Sequence, residues 1–135
     1  MNRSAKGEFE VKLQPLPVEG QADGSILGRM SIDKTITGDL VATTHGQMLS
    51  ARSAVKGSAS YVALEQVEGV LEGRRGSFVL QHSGRMQGGQ SSLSVTVVPD
   101  SGTGELTGLA GDFQILITDG QHRYLFTYTL PADPA

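Results

Sequence analysis

The sequence predicts an all-β protein, an eight-stranded antiparallel up-and-down barrel, and three features carry that expectation. Apolar residues alternate along the chain, and no window of helical length sustains a 3.6-residue period. Glycine and Asp-Gly pairs punctuate the alternating runs, with eighteen glycines in 135 residues. The runs are long and the gaps short, so consecutive strands pair as a meander. Closing it into a barrel removes the edges that an open sheet leaves exposed.

In chain order, strands are expected at 6–18, 26–38, 40–51, 57–72, 76–87, 91–98, 106–118 and 121–130, as one domain over residues 1–135. Asp23-Gly24 falls in the gap between the first two runs, and Gly88-Gly89 in the gap between the fifth and sixth. The tail from Pro131 to Ala135 reads as a short unpaired end.

Two hairpins permit inference at the residue level. Asp119-Gly120 is a strong two-residue turn signal, because both positions tolerate positive φ. Pairing across it sets Ile117 opposite His122, Ile115 opposite Tyr124 and Phe113 opposite Phe126. One face then holds Phe113, Ile115, Ile117, Tyr124, Phe126 and Tyr128, which must be the core, with His122 on the same face beside the turn.

The other hairpin is expected to turn at Arg74-Arg75, with Gly73 opposite Gly76, Leu71 opposite Phe78 and Val67 opposite His82. Its apolar face carries Tyr61, Ala63, Val67, Leu71, Phe78, Leu80 and Met86. Glu65 and His82 share that face as diagonal neighbours, and burial costs a charged group several kcal/mol unless it is paired. An interior Glu65–His82 contact satisfies both groups. The pair either orients a ligand, for which an eight-stranded barrel has room, or merely stitches two strands together.

Other motifs carry less. The run from Gly102 to Gly111 lacks the GxGxxG spacing and the GK[ST] ending of nucleotide loops, so its glycines read as a bend or close packing where a strand enters the barrel. His45, His82 and His122 are scattered, with no HxH or HExxH, so no metal site is expected. No GxSxG elbow is present, and Arg74-Arg75 reads as a solvated tip. Eleven Lys and Arg against fourteen Asp and Glu leave a net charge of −3, which argues against nucleic acid as the partner. The absence of cysteine excludes disulfides and thiolate metal sites. Residues 1–10 contain charges and no apolar signal core, and no 18-residue apolar run follows. The expected setting is therefore cytoplasmic, without a membrane.

The runs Tyr61-Val-Ala-Leu-Glu65-Gln-Val-Glu-Gly69 and Gly76-Ser-Phe-Val-Leu-Gln-His82-Ser-Gly84 resemble the bacterial family labelled domain of unknown function 3224. Gly104-Glu-Leu-Thr-Gly108-Leu-Ala-Gly111 and the ending His122 to Pro131 are similar too, as are Gly7-Glu-Phe9-Glu-Val and the segment around Met30 to Lys34. The resemblance implies a small barrel of the allene oxide cyclase-like, calycin-like kind, related to dirigent proteins. By analogy it also implies a homo-oligomer packed through barrel exteriors. It settles no activity, because a shared fold does not transfer chemistry.

Three functions follow as expectations. The first is a barrel that binds a small, partly apolar molecule, lined by Tyr61, Phe78, Leu80, Phe113, His122, Tyr124 and Phe126, with Glu65 and His82 orienting a polar group. The second is a cofactor-free cyclase or isomerase with Glu65 as base and His82 as proton shuttle. The third is a structural or interaction protein with a filled barrel. Outward apolar residues, Leu116 with Leu125 and Val62, Leu64, Val70 with Val79, point to a homo-oligomer.

Overall fold

Eight antiparallel strands close on themselves in sequence order in the computed structural model, which describes residues 2–18, 20 and 26–131. They are β1 (Arg3–Leu16), β2 (Leu27–Gly38), β3 (Leu40–Arg52), β4 (Ala59–Leu71), β5 (Arg74–Gln87), β6 (Gln90–Val97), β7 (Ala110–Thr118) and β8 (Gln121–Thr129). β1 pairs with β8, Arg3 facing Tyr128 and Gly7 facing Tyr124, and this ladder shuts the barrel. Tail residues 132–135 lie outside the described residues. Among the described residues no helix is long and apolar enough to cross a membrane.

The Asp119-Gly120 turn forms as the sequence predicts, with φ of 52° and 77° and Phe113 facing Phe126. The β4–β5 turn does not. Glu72 and Gly73 make it, with φ of 46° and 86°, and Arg74-Arg75 continue as strand. Val67 therefore faces Phe78 instead of His82, and Glu65 faces Leu80. Tertiary contacts decide the turn. The Tyr128 hydroxyl donates to the Glu72 carboxylate, and the Arg75 amide donates to Glu105. The slip is even-numbered, so every side chain keeps its face.

Residues 106–109 are a second correction. They were expected to begin a strand, but Gly104–Leu106 is a 3₁₀ turn, and β7 starts at Ala110. The preceding segment works as an edge cover. The Val98 amide donates to the Val79 carbonyl and the Thr103 amide to the Ser77 carbonyl. In return the Val79 amide donates to Ser101 Oγ and the Ser77 amide to Thr103 Oγ1. The lower edge of β5, which β6 does not reach, is thereby satisfied.

The barrel is filled at one end. Phe113 stacks on Tyr124 at 5.0 Å between ring centroids, Phe126 packs at 5.6 Å from Phe113 and 5.8 Å from Phe78, and Tyr128 lies 5.2 Å from Phe126. Leu106 of the 3₁₀ turn and Leu109, between that turn and β7, are buried and join this cluster. The Tyr124 hydroxyl donates to the Thr37 carbonyl at 2.7 Å and accepts from the Leu40 amide at 3.0 Å. Toward the other end the same inner faces become exposed. Ile117, expected in the core, is 68% exposed, and Met86 is 41% exposed. Both stand where their strands run past the packed aromatics to the barrel's open end.

Candidate functional site

Among the described residues four polar side chains lie buried within this apolar interior: Lys34, Thr44, Glu65 and His82. Each takes an inward position of its strand by the two-residue alternation. Lys34 follows Ile32 and precedes Ile36 on β2, Thr44 follows Ala42 on β3, Glu65 lies between Ala63 and Val67 on β4, and His82 follows Leu80 on β5. Their convergence on Glu65 makes that burial tolerable. Lys34 Nζ donates to Glu65 Oε1 at 3.1 Å, Thr44 Oγ1 donates to Oε2 at 2.6 Å, and His82 Nε2 lies 2.8 Å from Oε1. The Lys34 ammonium also sits over the Phe9 ring, 4.8 Å from its centroid.

Burial by itself raises the pKa of the Glu65 carboxyl. The hydrogen bond from His82, the Lys34 charge and the Thr44 hydroxyl outweigh that effect and hold it down at about 2. Glu65 is thus an anion that only accepts, which fixes the adjacent ring. His82 Nε2 carries a proton toward Glu65, and in the neutral imidazole Nδ1 is left as an acceptor. That acceptor faces outward along the barrel axis. The Tyr61 hydroxyl lies 3.4 Å from it. Burial, and then the Glu65 charge, raise the pKa of this phenol, so Tyr61 keeps its proton.

Tyr61 belongs to the open end. Its cross-strand partner is Gly84, and a Cβ there would stand 2.4 Å from the tyrosine ring. Glycine at this position lets the ring lie against the barrel wall. Above it is a cavity of about 360 Å³, lined by Met30, Met48, Ser50, Ala59, Tyr61, Met86 and Leu93, with Arg52 and Arg85 and no carboxylate among its lining residues. A mouth of this size, mostly apolar with a few convergent polar groups, has the character of a small-molecule site.

The sequence-derived residues divide between the two ends. Tyr61 lines the mouth, and Glu65 and His82 stand behind it. Phe78, Leu80, Phe113, Tyr124 and Phe126, expected to line a ligand cavity, instead pack against one another in the core. His122 is half-buried at the open end, with its ring 5.2 Å from Phe9. His45 is outside, 2.6 Å from Asp33. Among the described residues no three His, Cys, Asp or Glu side chains converge as metal ligands. Sequence reasoning missed Lys34 and Thr44, and it missed the mouth residues Met30, Met48, Ser50 and Arg52. The signal for Lys34 was present, since it interrupts the alternation of Met30, Ile32 and Ile36.

The family model described as "Protein of unknown function (DUF3224)" matches residues 5–128. A crystal structure of a protein of unknown function from the same family, from Shewanella oneidensis MR-1, is 52% identical. The match covers 100% of both chains, with a TM-score of 0.90. No curated protein matches the chain.

Proposed function

This chain belongs to the DUF3224 family, and on that premise we propose that it binds a small, partly apolar molecule in the open end of its barrel. One observation carries the reading. The barrel interior is packed solid at one end and left open at the other, at a cavity of about 360 Å³ lined by Tyr61, whose hydroxyl lies 3.4 Å from His82 Nδ1 with Glu65 behind. A filled scaffold needs no such asymmetry. The methionines give the lining adaptable apolar contact, and Arg52, at an inward position of β3, favours a ligand with an oxygen acceptor or negative charge.

The test is native mass spectrometry of the protein purified gently from its own host, beside a Ser50→Trp variant that fills the mouth. The wild type is expected to carry a small-molecule adduct that the variant lacks. A bare wild-type mass, or an adduct retained by the variant, contradicts the proposal.

A further inference from the structure

We infer that the mouth is a proton-transfer site, in which Tyr61 acts on an enolisable ketone and exchanges protons with His82 behind it. The inference rests on the binding reading above and adds a reaction to it. Three features converge on it. Half-buried Tyr61 lines the cavity and adjoins His82, whereas Lys34, Thr44, Glu65 and His82 are not among the lining residues. Among the described residues the buried polar cluster therefore reaches the cavity through Tyr61. The chain is ordered: the Glu65 anion holds the proton of His82 Nε2, and Nδ1 faces the tyrosine hydroxyl at 3.4 Å. Catalytic hydrogen bonds are often this long in an unliganded site and tighten in the complex. Finally, the lining includes Arg52, at an inward position of β3, and no carboxylate, a charge balance that favours a developing enolate oxygen.

The step balances without a cofactor or co-reactant. The carbon–hydrogen bond next to the carbonyl breaks, its proton passes to the Tyr61 oxygen, and the electron pair moves into the enolate. The original Tyr61 proton passes to His82 Nδ1, giving an imidazolium faced by the Glu65 carboxylate. Return of a proton from Tyr61 to the far carbon of a conjugated enolate, with His82 restoring the Tyr61 proton, leaves every side chain as it began. The net change is a 1,3-shift of one hydrogen, the conversion of a β,γ-unsaturated ketone into its conjugated isomer. Tyr61 is the catalytic residue in this scheme, whereas His82 and Glu65 act through it.

The probe is cyclohex-3-enone, whose conversion to cyclohex-2-enone is followed by the ultraviolet absorbance of the conjugated product. Binding is followed separately through the ¹³C-methyl signals of Met30, Met48 and Met86. The wild type is expected to accelerate the conversion. Tyr61→Phe should lower kcat by about 10²-fold or more with KM retained, and His82→Gln should show the same split. Methyl shifts without conversion above buffer overturn the proton-transfer inference and leave the binding reading standing. Equal rates in wild type and Tyr61→Phe overturn it as well. If the ketone moves no mouth methyl while a native adduct is present, the ketone assignment falls. If neither is seen, the binding reading falls and takes this inference with it.

Discussion

Glu65 has three hydrogen-bond donors around a single carboxylate, from Lys34, Thr44 and His82, and it is wholly buried. Its pKa falls from 4.5 to about 2 on folding. A carboxyl depressed in this way contributes stability that is fully present above its unfolded value and is lost as pH drops toward the folded one. Stability is therefore expected to decline between about pH 4.5 and pH 2, with about 3 kcal/mol of that decline due to Glu65. Denaturant melts across this range check it. Glu65→Gln should start from a lower stability near neutral pH and show a shallower loss on acidification, and an equal slope in both proteins contradicts the assignment. At this scale the sequence was informative where polarity broke an apolar alternation, as at Glu65 and His82. It was silent on which residues converge, because Lys34 reaches Glu65 only after two intervening strand pairings set the register.

At the scale of the elements, the two hairpins differ in how their turns are specified. Asp119-Gly120 is a local signal, since both residue types accept positive φ, and it was legible. Glu72-Gly73 is not, because glutamate has no turn preference. Its hold comes from Tyr128, 56 positions away in the chain. The 3₁₀ turn at Gly104–Leu106 was hidden for a similar reason: its glycines fit either a bent strand or a turn, and hydrogen bonds to β5 select the turn. Gly73→Ala puts a Cβ on a residue with φ of 86°, where the space is open but the backbone is strained. It is expected to cost about 1–2 kcal/mol in chemical denaturation. A neutral result would mean that the turn is not held in the left-handed region.

For the whole molecule, the closed all-β architecture was readable from alternation and punctuation, and the division between packed and open ends was not. Volume decides that division: the aromatic residues crowd one end, while Ser50, Ala59 and flexible methionines occupy the other. Outside the barrel, Leu49 faces Val62 across β3 and β4, and Leu64 adjoins them. All three are more than half exposed, at 51%, 55% and 57%. A contiguous apolar patch of this kind on an outer wall is expected to be covered by a second copy of the chain. Light scattering at micromolar concentration should return a multiple of 14.2 kDa, and a monomer mass rejects the association.

Of the four methionines in the sequence, Met30, Met48 and Met86 line the barrel mouth, so their methyl groups report its occupancy directly. The decisive measurement is a ¹³C-methyl methionine spectrum of the protein, recorded while the molecule recovered from its native host is titrated in. Occupation of the open end should shift all three resonances saturably, and the Ser50→Trp variant should abolish the response. Three resonances that stay fixed while the molecule binds elsewhere, or does not bind, would contradict a ligand site at the mouth.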